Sequence, residues 1–151
     1  MAPCQFSLFP ILLRHRHSEA IKLEFRMCTK EEGWKIKRAE YEKDPKLVFV
    51  QGWCEAFAFA FKRKFPKMEA RLVEMEFGYK HACCIKDKLC FDSRNLKGIT
   101  IGQIVSDFGL KKYTSTSISN EKLRQSFCEK FPESRWEETI GLAEAWLATQ
   151  L

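Results

Sequence analysis

The chain has 151 residues, of which 45% are hydrophobic and 13% aromatic, so it can form one domain with a sizeable core. No stretch reaches the roughly 18 apolar residues of a membrane span, and we expect no membrane association. The net charge of +6 favours acidic partners, yet acidic residues interleave with the basic ones. That mixture is typical of a solvated surface and disfavours a nucleic-acid-binding stripe.

The seven cysteines are odd in number, and a chain of this length does not depend on disulfides for stability. The N-terminal run MAPCQFSLFPILLRHRH has no basic residues before its apolar part and no small-residue cleavage site after it, so we interpret it as mature protein. We therefore expect a cytoplasmic protein with free thiols. The cysteines are Cys4, Cys28, Cys54, Cys83, Cys84, Cys90 and Cys128.

The first 45 residues give weak structural patterns and form an uncertain N-terminal arm. EAIKLEFRM (19–27) alternates like a strand, and GWKIKRAEYE (33–42) places Trp34 and Ile36 on one face of a strand. DPKLVFVQG (44–52) begins with a turn motif. We expect short strands or irregular arms here, which could cover a cleft, bind a partner or complete a sheet.

Patterns become clearer from Trp53 onward. Residues 54–64 predict a helix, because apolar side chains recur at helical spacing and the cations of residues 62–64 suit its C-terminal end. ARLVEMEFG predicts a half-buried strand with Val73, Met75 and Phe77 on one face. HACCIK and LCFDS flank Asp87-Lys88 and predict a hairpin.

The C-terminal part predicts further helices. TIGQIVSDFG is typical of a short helix from Thr100 to Gly109, KKYTSTSIS fits a strand or loop, and Asn120 can cap EKLRQSFCEKF. Pro132 opens a last helix with one apolar stripe. The stripe consists of Trp136, Ile140, Ala143 and Leu147. The predicted fold is therefore a single α+β domain over residues 1–151, with an antiparallel β-sheet core and C-terminal helices.

Cys54 is the candidate nucleophile. A thiol reacts as its thiolate, and the first turn of a helix favours the thiolate through unpaired N–H groups and the positive end of the dipole. Gly52 permits a tight loop before that turn, and the N–H of Cys54 can help to bind an oxyanion. His81, at the start of a predicted strand, supplies a base, and Asp92 on the next strand can orient the imidazole.

Hairpin geometry decides whether His81 and Asp92 can meet. With a two-residue turn at Asp87-Lys88, Asp92 becomes a diagonal neighbour of His81 on the same face, roughly 7–8 Å away between backbones. A three-residue turn would move Asp92 to the opposite face. Arg94 then faces His81 across the hairpin, where it could bind an anionic substrate group or pair with a surface carboxylate. Trp53 could line a substrate cleft or serve as a buried anchor.

The order is a cysteine on a helix, then a histidine on a strand, then a carboxylate on the adjacent strand. It resembles the papain-like thiol hydrolases in their non-permuted form. The resemblance covers residues 50–95, which we take as the catalytic core. The resemblance implies a papain-like fold, no cofactor, and Gln51 as an oxyanion-hole side chain. GWCEAFA looks most similar to small toxin-like and effector members, which include peptidases, deamidases, transglutaminases and acyltransferases. The resemblance implies a protein or peptide substrate. It also implies that the protein acts in the cytoplasm, including the cytoplasm of a host cell.

Four other interpretations stay open. Cys54 could be an ordinary buried core thiol, since free cysteine is among the most buried residue types. The run HACCIKDKLC could bind zinc, although adjacent Cys83 and Cys84 on a strand point to opposite faces and we expect no metal. Cys83 lies close to His81 and is a rival nucleophile without a helix dipole. Finally, the chain could be a non-enzymatic binding or inhibitor protein that uses its basic surface to engage an acidic partner or nucleic acid.

Overall fold

The structure is a computed structural model that describes residues 28–151. The predicted strand over residues 19–27 therefore lies outside the described residues. The helices of the described part are α1 (Lys30–Lys43), α2 (Pro45–Val48), α3 (Cys54–Lys64), α4 (Ile101–Asp107), α5 (Asn120–Lys130) and α6 (Trp136–Gln150). The strands are β1 (Glu69–Met75), β2 (Lys80–Lys86), β3 (Leu89–Asp92), β4 (Asn95–Ile99) and β5 (Tyr113–Ser117).

Residues 30–48 form helices, so the expectation of strands or irregular arms there was wrong. Thr29 caps α1 by accepting the N–H of Glu32, and acidic residues occupy its first turn, where they complement the helix dipole. Trp34 anchors α1 in the core: its indole stacks on Trp53 at 5.6 Å between ring centroids and donates to Thr139 Oγ1 at 2.9 Å. The spacing of Trp34 and Ile36 resembled a strand because the helix buries only a narrow stripe.

The prediction of a helix from Cys54 to Lys64 is confirmed. Nearly every residue from Cys54 to Phe61 is buried, because α3 lies between β2 on one side and α5 and α6 on the other. Aromatic rings fill the surrounding core at centroid distances below 6.5 Å, which are typical of favourable ring pairs. These rings include Phe49, Trp53, Phe57, Phe127, Trp136 and Trp146.

The five strands form one antiparallel sheet in the order β4-β3-β2-β1-β5. The predicted β2–β3 hairpin is confirmed, since Lys86 pairs with Leu89 and Ile85 pairs with Cys90. Both turn residues have positive φ, 52° at Asp87 and 66° at Lys88, as a two-residue hairpin turn requires. Sequence reasoning did not predict β4, which pairs with β3 through Asp92 and Asn95.

The strand predicted to extend to Phe77 ends at Met75. Val73 and Met75 are buried as expected, whereas Phe77 is 64% exposed in a turn with φ of 62°. The alternating pattern had continued by chance into this turn.

The remaining C-terminal elements follow the predicted order. Thr100 caps α4 in a capping box with Gln103, and the chain leaves that helix at Gly109, where φ is 74°. Ser119 rather than Asn120 caps α5, since its hydroxyl accepts the N–H of Lys122. A short 3₁₀ turn separates Pro132 from α6. The chain is thus a mixed α+β protein with an antiparallel sheet, as predicted.

A second apolar cluster involves α4. Ile104 and Val105 of α4 pack with Val73, Cys83 and Cys90 from three neighbouring strands. Among the residues that the structure describes, no helix combines the length and the apolar character needed to cross a membrane.

Candidate active site

The loop before α3 presents Cys54 at the first position of the helix. Gly52 has φ of +131°, and a Cβ there would lie 3.0 Å from Lys37 Cε, so glycine is required at this turn. Trp53 occupies the N-cap position without a side-chain hydrogen bond to the helix. The amides of the first turn are therefore not capped by a side chain and remain suitable donors for a negatively charged group.

The Cys54 sulfur has polar neighbours although the residue is only 4% exposed. Its Sγ accepts the backbone N–H of Ala82 at 3.5 Å, which fixes the sulfur against β2. The Glu55 carboxylate also lies beside it, with Oε2 at 3.5 Å from Sγ. The sulfur therefore has two polar neighbours at the start of α3.

His81 and Asp92 form a buried hydrogen bond. Nε2 of the imidazole lies 3.0 Å from Asp92 Oδ2, and both side chains are completely buried. Asp92 Oδ1 accepts the backbone N–H groups of Arg94 and Asn95 and the Asn95 side-chain amide. The carboxylate therefore orients the imidazole with one oxygen and holds the β3–β4 turn with the other.

Burial acts to raise the pKa of Asp92, but the hydrogen bond and charge of His81, with help from Asn95, hold it below its usual value. The carboxylate consequently stays ionised and accepts the Nε2 proton, which leaves Nδ1 as the ring nitrogen that Asp92 does not engage.

Within residues 28–151, Nδ1 of His81 is a buried nitrogen without a hydrogen-bond partner of regular geometry. Because Nε2 is engaged by Asp92, Nδ1 is the nitrogen left to interact with the thiol of Cys54. Burial alone would lower the pKa of His81, but the hydrogen bond to Asp92 and the interactions with Cys54 and its charge raise it to about 9. The surroundings of His81 therefore favour its imidazolium form.

A cleft of about 320 Å³ opens beside Cys54. It runs over the sheet surface at Leu72 and Ala82 and is bounded by the β1–β2 turn and by α5. Its lining residues in the described part of the chain are Cys54, Glu55, Leu72, Gly78, Tyr79, Lys80, Ala82, Ser126, Glu129 and Lys130. Of the three predicted catalytic residues, Cys54 lines this cleft.

Sequence reasoning missed a charged pair in this cleft. Glu55 is 3% exposed, and its Oε1 accepts from Lys130 Nζ at 2.8 Å and from Ser126 Oγ at 3.0 Å. Lys130 Nζ also donates to the Gly52 carbonyl at 2.9 Å. The glutamate directly after a candidate nucleophile was visible in the sequence, but its partner lies 75 residues away along the chain.

Three sequence-predicted substrate residues lie apart from the cleft among the residues described. Gln51 is half-buried in the turn before Cys54, and its backbone N–H donates to Val48. Trp53 is fully buried and packs on Trp34, so it is a core anchor rather than a cleft wall. Arg94 lies over the Phe108 ring at 5.5 Å, with Nε and Nη2 buried and unpaired.

The other cysteines in the described part of the chain differ from Cys54. Cys84 faces α3, and burial raises its pKa to about 12. A hydrogen bond to Cys90, together with burial, raises the pKa of Cys83. The same hydrogen bond lowers the pKa of Cys90. Cys28 is disulfide-bonded, so the expectation of free thiols was wrong there. No group of three or more potential metal ligands with suitable placement occurs between residues 28 and 151.

Comparison with protein-family models, with curated proteins and with solved structures found no match to this chain.

Proposed function

We propose that the chain is a papain-like, cysteine-dependent hydrolase or acyltransferase that acts on an amide, carboxamide or thioester carbonyl of a protein or peptide. The observation that carries this proposal is the buried His81, which is bonded to Asp92 through Nε2 and has Nδ1 left for Cys54. A buried nitrogen without a partner costs free energy, and a proton acceptor for the thiol explains its presence. A cleft at the sulfur completes the arrangement.

The proposed reaction follows from these contacts. The proton of the Cys54 thiol resides on Nδ1 of His81, and the thiolate of Cys54 attacks the substrate carbonyl carbon. Amides at the uncapped start of α3 stabilise the resulting oxyanion. The imidazolium then gives its proton to the leaving amine or ammonia, and a thioester forms on Cys54. Water or an acceptor amine attacks that thioester, loses a proton to His81 and releases the product.

The arrangement of elements also supports a papain-like enzyme. Cys54 begins a helix that packs against an antiparallel sheet, His81 lies on β2, and Asp92 ends the adjacent strand β3. Peptide cleavage, glutamine deamidation and transglutamination share the same acyl-enzyme step, so this geometry serves all three reactions.

The first test is alkylation by iodoacetamide as a function of pH, with each cysteine followed by mass spectrometry. We expect Cys54 to react rapidly well below pH 8, because its thiolate is paired with His81. His81→Ala should slow this reaction by about 100-fold at neutral pH. Asp92→Asn should slow it by about tenfold, because the imidazole loses the acceptor that fixes its tautomer.

Two cysteines of the same molecule provide internal references. Burial raises the pKa of both Cys84 and Cys128, so both should react slowly at neutral pH in every variant. If Cys54 becomes reactive only when the protein unfolds, the proposal is wrong. The same holds if His81→Ala folds and leaves the rate at Cys54 unchanged. Salt-dependent binding to acidic partners would then be the next property to measure.

A further inference from the structure

The Glu55–Lys130 pair is built into the site rather than scattered on the surface. Glu55 is buried beside Cys54, and the Lys130 ammonium contacts both of its oxygens, at 2.8 Å and 3.1 Å. The same ammonium holds the Gly52 carbonyl at 2.9 Å, so it joins α5 to the loop that presents the nucleophile. Both side chains line the cleft at the sulfur.

An isolated carboxylate at this position would oppose the proposed chemistry. Glu55 Oε2 lies 3.5 Å from Sγ, and a negative charge so close to a sulfur destabilises the thiolate. It would also compete with His81 for the thiol proton. The charges of Glu55 and Cys54 both stabilise the Lys130 ammonium, against the opposing effect of burial, and raise the pKa of Lys130. The lysine therefore remains charged next to both groups.

We propose that Lys130 is a positioning residue for the reaction proposed above: its ammonium neutralises the Glu55 carboxylate and thereby allows the thiolate of Cys54 to form. This inference rests on the proposed function, since it assigns Lys130 a part in activating the same sulfur. Lys130 does not bond to the reacting atoms and acts through Glu55 and the Gly52 carbonyl.

The test is the pH profile of iodoacetamide alkylation at Cys54 in a mutant cycle. Lys130→Met should move the midpoint of the profile to higher pH by about one unit, which slows alkylation about tenfold at neutral pH. Glu55→Gln, which keeps the shape and an acceptor for Ser126, should move the midpoint to lower pH. The double variant should return to within about threefold of the wild-type rate, because both charges are gone.

Two further variants separate charge from general stability. Lys130→Arg keeps the positive charge and should retain the wild-type profile within about threefold. Arg63→Met removes an ion pair with Glu144 on the exposed end of α3 and should change nothing at Cys54. If Lys130→Met does not fold, Lys130→Gln, which is polar and uncharged, should show the same upward shift and tests the inference in its place.

The outcomes distinguish the two proposals. If wild-type Cys54 is activated and depends on His81, but neither Lys130→Met nor Glu55→Gln moves the midpoint, the role of Lys130 is wrong and the enzyme proposal stands. A double variant as slow as Lys130→Met would also overturn the neutralisation role. If wild-type Cys54 is inert, the enzyme proposal fails, and the inference fails with it.

Discussion

The interface between α3 and β2 contains two buried thiols in contrasting surroundings. Cys54, at the start of α3, contacts the Ala82 amide and the Glu55 carboxylate and borders a cleft. Cys84, near the middle of β2, donates to the Ala58 carbonyl at 3.3 Å within the apolar core. The exposed fractions of the residues are 4% and 0%, so burial does not separate them. The difference arises because amides and ionisable groups are available where the helix begins.

The largest expected effect comes from placing a carboxylate at each thiol. Cys84→Asp should destabilise the fold by more than about 3 kcal/mol, because the apolar core offers the charge no partner. Cys54→Asp should cost about 1 kcal/mol or less, since the helix start, His81 and Lys130 all favour a negative charge there. Urea unfolding at neutral pH measures both values. If both variants lose the same free energy of unfolding, the surroundings of Cys54 do not favour a negative charge over those of Cys84.

The second prediction concerns the pH dependence of stability. The pKa of His81 is raised from 6.5 to about 9, so the folded state binds its proton more tightly than the unfolded state. This stabilisation is complete below pH 6.5 and is lost as the pH rises through about 9, with a magnitude on the order of 3 kcal/mol. Urea unfolding from mildly acidic to alkaline pH should show this decline. His81→Ala should flatten it, and a decline that persists in His81→Ala would assign it to other groups.

The third prediction compares two glycines. Gly52→Ala should destabilise the fold by about 2 kcal/mol and slow alkylation of Cys54, because its positive φ and the contact with Lys37 leave no room for Cβ. Gly141→Ala, in α6 with open space around it, should stabilise by about 0.5–1 kcal/mol and leave alkylation unchanged. Thermal unfolding and labelling test both. A stable Gly52→Ala variant with normal labelling would mean that the loop tolerates another geometry.

The smallest expected effect concerns the turn beyond Asp92. Asn95→Ala removes one side-chain hydrogen bond to Asp92 Oδ1 and should cost about 1 kcal/mol. It should slow alkylation of Cys54 less than Asp92→Asn does, because Oδ2 still holds His81. Asn120→Ala, which loses a surface contact with Lys62, is the matched control. A larger kinetic effect in Asn95→Ala than in Asp92→Asn would contradict this order.

The central part of the fold was predictable because local patterns specify it. The apolar stripe of α3 predicts that the helix begins at Cys54. The two-residue turn at Asp87-Lys88 predicts the β2–β3 register. That register put Asp92 within reach of His81, and the structure shows the hydrogen bond. Turn length and side-chain alternation are short-range properties, which a single sequence contains.

Other features depend on contacts between distant parts of the chain. The helix α1 has few buried side chains, so its apolar pattern was too sparse to separate a helix from a strand. Lys130 was indistinguishable from other surface lysines until folding brought α5 to the start of α3. Phe77 followed an alternating pattern, although the backbone had already turned at Glu76. Tertiary contacts decided these cases, and composition did not encode them.

Asp92 has a consequence for how this protein can be re-engineered. One carboxylate serves both the imidazole and the β3–β4 turn, so an insertion between Asp92 and Asn95 would tilt the histidine as it reshapes the turn. The turn at Asp87-Lys88 is exposed and positions no predicted catalytic residue, so it is the better place for an epitope tag or a reporter domain. The length of the turn at Asp87-Lys88 can therefore vary, whereas the length of the turn after Asp92 is constrained.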